Sequence, residues 1–457
     1  MNKLLSCCLA AILFFVLTIK ASDLFAQRSK KSELWKTLST PANADTLNDD
    51  YYGDNSIRYE DYVYKKNIKS VELRDETFLL SRAILNLDSQ EKLKLSFDDL
   101  NGGLKNYFYT IVQCNANWEP SDLMPNEYID GFLENSVIDY RYSLNTLQKF
   151  THYSFDFPNN TLRITKTGNY ILKVYLDSNP EDLVITRRFM VFQNKVSIES
   201  RVTAASIIQD RQFKHEIDFT IDHTGYNIND PYGDLKIVIT QNNRWDNTKT
   251  NLKPVYVRDQ QLVYDYDQDN VFDGGNEFRY FDTRSIRPHS IGANKVEIDS
   301  TGNHVNLTAD ESRSFKRYFS QPDMNGDYVI KVQEGNNSDI EADYCYVTFF
   351  LPYTEALTNG NLYVFGAYNA WKCNTENLMH YNAKRFGYEC TLYLKQGYYN
   401  YEYAFLKDGV TEADQTLIEG MHAETEDDYT IFVYHRQQGT FYDQLIGVKR
   451  LNSIKQY

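Results

Sequence analysis

The chain is poor in the motifs that announce catalysis. It has no H-E-x-x-H pair, no G-x-S-x-G elbow, no phosphate-cradling glycine loop and no dinucleotide fingerprint, so metal-assisted hydrolysis and acyl, phosphoryl or hydride transfer have no local anchor. It is poor in positive charge: 48 Lys+Arg stand against 63 Asp+Glu, a net charge of -15. That field repels phosphate backbones and anionic lipid, which argues against nucleic acid as a partner. Its longest apolar stretch, Leu4 to Ile19, falls short of the ~20 residues that span a bilayer as a helix, so no direct membrane insertion is expected. Cysteine is scarce, with six in 457 residues, too few for a disulfide scaffold, and no two have the C-x-x-C spacing of a zinc or redox site. These absences leave no catalytic residue, no cofactor and no metal to name, while carboxylate pairs for glycosidic cleavage stay open because their spacing is three-dimensional.

What the chain has in quantity is aromatic residues, 37 Tyr and 26 Phe, a loading that suits half-buried pleated sheets. Residues 1–26 run from Lys3 through the apolar stretch to Leu24-Phe25-Ala26 and read as a signal peptide. Its removal takes away two lysines and one aspartate, and the net charge moves from -15 to -16. Residues 27–56 carry no apolar period and read as a linker or mobile arm. From Ile57 onward, short alternating segments such as Leu93-Lys-Leu-Ser-Phe97 and Asn169-Tyr-Ile-Leu-Lys-Val-Tyr175 predict strands. The second of these, answered by Val184 to Phe192, predicts a closing hairpin. Asn325-Gly-Asp-Tyr-Val-Ile-Lys-Val332 followed by Tyr344 to Leu351 repeats that grammar and predicts a second hairpin. The expected fold is all-β, with tandem immunoglobulin-like β-sandwiches at 57–193 and 194–352 and a third domain at 353–457.

Three local patterns bear on chemistry. Asp265-Tyr-Asp267-Gln-Asp269-Asn270 imitates the start of a calcium loop, but position six is Asn270 rather than Gly and position twelve is Asn276 rather than Glu, which favours a solvated acidic turn. Cys390 sits on the apolar side of an alternating segment and reads as a buried thiol, with a Cys373–Cys390 bridge as the alternative; the pairing of Cys114 and Cys345 is left open. Gly366-Ala-Tyr-Asn-Ala-Trp371 before Gly397-Tyr-Tyr-Asn-Tyr401 resembles the early-set, glycogen-binding-like immunoglobulin modules. In that resemblance Trp371 is either a platform for a sugar ring or a cap on the sandwich core.

Longer strings carry a more specific likeness. Cys114-Asn-Ala-Asn-Trp-Glu-Pro-Ser121, Thr165-Lys-Thr-Gly-Asn-Tyr170, Gln241-Asn-Asn-Arg-Trp-Asp-Asn247, Gly275-Asn-Glu-Phe-Arg279, Tyr363 to Trp371 and Leu394 to Tyr401 resemble the plug proteins of the type IX secretion system of Bacteroidota. The resemblance spans about residues 57–452. It implies a non-catalytic periplasmic subunit that closes the inner mouth of the outer-membrane translocon barrel, SprA (Sov). A 36-stranded barrel at ~4.8 Å strand spacing and ~40° tilt is roughly 70 Å across, and a compact chain of about 430 residues is roughly 55–60 Å across. Arg244, Trp245, Glu277, Phe278 and Arg279 are the candidate partner contacts, because Trp, Phe and Arg are frequent interface anchors; the alternative is that they build corners and core. The alternative function is a secreted carbohydrate-binding module protein of a polysaccharide-utilisation system, resting on Gly366 to Trp371.

Overall fold

A computed structural model describes residues 56–75, 78, 80–287 and 292–454. The leader expected at 1–26 and all but the last residue of the arm expected at 27–56 lie outside the described residues. The described chain is all-β, and its three helices, Pro125–Tyr128, Ser338–Glu341 and Thr416–Glu419, are single turns. It forms β-sandwiches of the immunoglobulin-like kind.

In the first sandwich, one sheet runs in the order Tyr62–Val63, Leu183–Phe192, Gly168–Leu176, Tyr107–Cys114, Asn135–Ser136, and the facing sheet in the order Ile68–Asp75, Leu93–Asp99, Thr151–Phe157, Asp139–Tyr142. The period-two alternation seen in the sequence points Leu93, Leu95 and Phe97 inward against Tyr153, Phe155 and Phe157, as a pleat requires. The hairpin expected at 168–192 forms, with Tyr170 opposite Phe189. Its strands are buried on both faces: Tyr170, Leu172 and Val174 face this core, while Ile171 and Met190 enter a second cluster with Val238, Phe432, Tyr434 and Leu445. A sheet covered on both sides reads as a near-continuous apolar run. Gly168 sits at φ +134°, and a Cβ there would come within 2.5 Å of the Gln113 side chain and 3.0 Å of the Asp443 carbonyl, so the approach of the two sandwiches depends on its missing side chain.

The segments expected as separate domains at 194–352 and 353–457 share their sheets. Leu235–Gln241 pairs along its length with Asp428–His435, and the second sandwich is built from 197–273 together with 428–452 around Ile217, Phe219, Ile239, Tyr264, Ile431 and Val433. The third sandwich is inserted between these pieces. Its sheets are Arg279–Asp282, Gly397–Lys407, Tyr328–Ile330 with Gly360–Phe365 added to Gly397–Lys407, and Ala293–Asp299, Gly302–Leu307, Tyr344–Pro352, Gly387–Lys395, His380–Asn382. The expected boundary at 352/353 therefore falls inside one sandwich: Pro352-Tyr353 and Thr358-Asn359-Gly360 mark a crossing between two facing sheets. The second expected hairpin is likewise replaced. Tyr328–Ile330 pairs with Gly397–Lys407 and Tyr344–Pro352 with Gly387–Lys395, so the two strands face each other across a core instead of pairing. Sequence neighbours pair only about two-thirds of the time, and turn residues mark a change of direction without saying which sheet receives the next strand.

Candidate functional site

The described residues belong to one compact unit, and the residues expected to touch a partner lie where its sandwiches meet. After Leu235–Gln241 the chain turns through Asn242 and Asn243 at φ +49° and +59°, a region that Asn tolerates better than most side chains. The turn is pinned to the next strand: Asn242 Nδ2 donates to Asp427 Oδ1 at 2.6 Å and Asn242 Oδ1 accepts from the Asp428 amide at 2.9 Å. This swings Arg244 inward, where it is 5% exposed. Its guanidinium donates to Asp246 at 3.1 and 2.6 Å, lies 3.6 Å from Glu402 Oε1, and sits 5.1 Å from the ring centres of both Phe365 and Trp371. Burial pushes the Glu402 carboxyl up to about 8 against the pull of Arg244.

Trp245 is half-buried at the junction of the first two sandwiches. It meets Trp118 edge-on at 4.9 Å, stacks on Phe432 at 5.9 Å, and lies 5.3 Å from the Arg188 guanidinium. Glu277 is buried, accepting from the Tyr318 hydroxyl and from the Glu426 amide. Phe278 is buried against Trp371. Arg279 holds Glu419 and Asp310 and donates to the Glu311 carbonyl at 2.7 Å. The structure thus brings Arg244, Glu277 and Phe278 together along the seam between the second and third sandwiches, keeps Arg279 within the third, and places Trp245 at the first–second seam. Their contacts are with this chain itself. Between the sandwiches at 402–416 and 207–276 a polar cleft of about 620 Å³ is lined by Lys214, Lys249, Asp273, Glu402, Glu412 and Asp414.

Trp371 follows the short 3-10 turn Ala367–Asn369. Its ring is 9% exposed, covers Phe365 and Phe278 at 5.4 and 5.8 Å, and lies so close to Gly326 that a Cβ there would stand 2.1 Å from it. It offers no open face to a sugar, so the carbohydrate reading loses its platform. All four described cysteines are free thiols; the Cys373–Cys390 alternative is not formed. Burial pushes each of them up to about 12, which leaves them unreactive near neutral pH. In the calcium-like string, Asp265, Asp267 and Asp269 are exposed while Asn270 is fully buried.

A third seam joins the first and third sandwiches. Asp98, fully buried, accepts from Lys395 Nζ at 2.6 Å, the Tyr344 hydroxyl at 2.7 Å and His152 Nδ1 at 2.7 Å. Burial alone would push its carboxyl up, but Lys395 and His152 outweigh burial and hold it below the usual range. The apolar surface lies elsewhere. Phe132, Ile138, Tyr140, Tyr142 and Leu147 are between 40% and 76% exposed around the edge strand Asp139–Tyr142, and Phe315 and Phe319, 101% and 77% exposed, stand on the 308–327 loop. Sequence reasoning missed both surfaces, because Tyr140 and Tyr142 show the same alternation that marks core positions. Only their place at the outer edge of a sheet leaves them uncovered.

Three comparisons bear on what such a body is for. The family described as "Type 9 secretion system plug protein 1st domain" matches residues 68–193, the first sandwich. A solved structure, a hypothetical protein from Parabacteroides merdae ATCC 43184, is 31% identical, superposes with a TM-score of 0.84, and is matched over 87% of this chain and 100% of its own. No curated protein matches.

Proposed function

Because the chain belongs to the type IX secretion plug family, we propose that it is the non-catalytic stopper of that system: a periplasmic subunit that closes the periplasmic mouth of the outer-membrane barrel SprA (Sov). Family membership supports an envelope-associated place and association with secretion components. The observation that carries the finer reading is the way the sandwiches are fused. The second is interrupted by the third, the first shares an apolar cluster with the second, and the first–third seam holds the buried Asp98–Lys395 pair. Such a body deforms little under a pressure difference, since packed cores are dense and weakly compressible. Its seams are internal, which leaves the exposed apolar edge at 132–147 and the 308–327 loop to face the barrel.

The test is affinity purification of the tagged chain from envelopes, together with uptake of a large, normally excluded antibiotic in cells lacking it. The expected result is recovery of the barrel and increased uptake in the deletion strain. Recovery of the chain without the barrel, and unchanged uptake, would overturn the reading.

A further inference from the structure

Glu216 and Asp218 lie two apart on the strand Lys214–Asp222, so they share one face of the sheet, the face away from the core that holds Ile217 and Phe219. They are nevertheless only 2% and 6% exposed. What covers them follows from strand register. Tyr264 pairs with Phe219, so the next residue, Asp265, emerges beside Asp218. Val271 pairs with Glu216, so Asn270 returns to the same strand one residue away. The 265–270 loop thus leaves and re-enters the sheet at the acidic pair, and one oxygen from each of Glu216, Asp218 and Asp265 lies within 4.8 Å of the others.

A second observation concerns Asn270, which is 0% exposed. Its Nδ2 donates to the Ile217 carbonyl at 2.7 Å and to Asp218 Oδ1 at 3.2 Å, which fixes the amide against the cluster. Its Oδ1 has no hydrogen-bond partner. A buried amide oxygen left unpaired costs about 1–3 kcal/mol, and this amide is held against the Asp218 carboxylate of the cluster. The cation that touches the cluster is Arg201, on Asp218 Oδ2 at 2.9 Å, with a side chain 66% exposed. Burial pushes Asp218 up, with the neighbouring Asp265 and Glu216 adding to the effect.

We propose that Glu216, Asp218, Asp265 and Asn270 form a calcium-binding site that ties the 265–270 loop to the central strand of the second sandwich. Four oxygen donors of this kind, completed by water, suit a hard cation. Three oxygens within 4.8 Å of one another fit around a Ca²⁺ shell about 4.6–5.2 Å across, and Mg²⁺, which demands near-ideal octahedral geometry and dehydrates reluctantly, suits this mixed donor set less well. The donors are not those of the linear calcium-loop pattern: Asp267 and Asp269 point to solvent, and Glu216 and Asp218 come from a strand some fifty residues earlier.

The test uses the purified full chain stripped with EDTA. Titration with CaCl₂ by calorimetry is expected to give a Kd of about 10⁻⁴–10⁻³ M, the range of extracellular modules. Terbium luminescence excited through tyrosine should be displaced by Ca²⁺, and Tm should rise by about 5–11 °C at a hundredfold excess over Kd. Asp265→Asn, at an exposed position, should leave Tm in EDTA unchanged and weaken Ca²⁺ binding at least tenfold, while Asp267→Asn leaves it intact. Absence of binding at 10 mM CaCl₂, equal affinity in Asp265→Asn, or displacement of terbium by Mg²⁺ as readily as by Ca²⁺ would each overturn the proposal.

Discussion

Replacing Lys395 by Met would test whether the first and third sandwiches are held as one body. Lys395 is 2% and Asp98 0% exposed, and the ammonium lies 2.6 Å from Asp98 Oδ2. Methionine keeps most of the side-chain volume, so the packing loss is small. The charge loss is large, because removing one partner of a buried pair strands the other, typically at about 3–5 kcal/mol. At about 2–4 °C per kcal/mol for units of this size, Tm should fall by about 6–20 °C. The pH dependence carries a signature. In the native chain the Asp98 carboxyl is held below its unfolded value, so its contribution is present above about pH 4 and is lost as pH falls through the folded value. In Lys395→Met, burial is no longer outweighed and the same carboxyl moves above its unfolded value. The deficit should therefore be greatest near pH 7 and narrow by pH 5. The double variant Asp98→Asn/Lys395→Met removes the stranded charge and should recover most of the loss, a coupling of about 2–3 kcal/mol in a double-mutant cycle. Urea unfolding followed by circular dichroism at pH 5 and 7 measures the native chain, Lys395→Met, Asp98→Asn and the double variant. A Lys395→Met cost below about 1 kcal/mol at pH 7, or a deficit that does not change with pH, would refute the reasoning.

Trp245→Ala should lower stability by about 2–3 kcal/mol, less than the ~3–5 of a fully buried Trp because the ring is half-exposed, and barrel recovery should fall only as far as the folded fraction does. Loss of the barrel at unchanged Tm would instead make Trp245 a direct contact. Gly326→Ala adds a Cβ 2.1 Å from the Trp371 ring at φ +80° and should cost at least ~2 kcal/mol by overpacking and backbone strain; thermal unfolding within 1 °C of the native chain would contradict the placement of that ring. Glu402, whose folded value is raised to about 8, supports stability that is full below about pH 4 and declines as pH rises toward 8. Glu402→Gln should flatten that decline, and an unaltered stability profile between pH 5 and 9 would show that the carboxyl is already ionised in the fold.

Arg244, Trp245, Glu277, Phe278 and Arg279 were expected as contacts from residue type, and residue type does not say which kind of contact it serves. Trp, Phe and Arg are chosen wherever a large desolvated contact is needed, and a seam between two sandwiches of one chain asks for the same chemistry as a seam between two chains. Similarly, Trp371 before a strand reads the same whether its ring faces solvent or Gly326. The acidic string at 265–270 was visible, but its partners Glu216 and Asp218 were not, because they come from another strand and meet it through register.

The sequence by itself determined that the described residues are overwhelmingly β and that Leu93, Leu95, Phe97 and the 168–192 hairpin face a core. These follow from period-two alternation and aromatic content, which are local or summed quantities. It also carried the family likeness, in strings long enough to be specific. Only the tertiary structure decided that Leu235–Gln241 pairs with Asp428–His435, that the third sandwich interrupts the second, and which aromatic rings are left bare. Pairing is a choice among edges distant in sequence, made by the total area buried when the sheets close, and no window along the chain contains that sum.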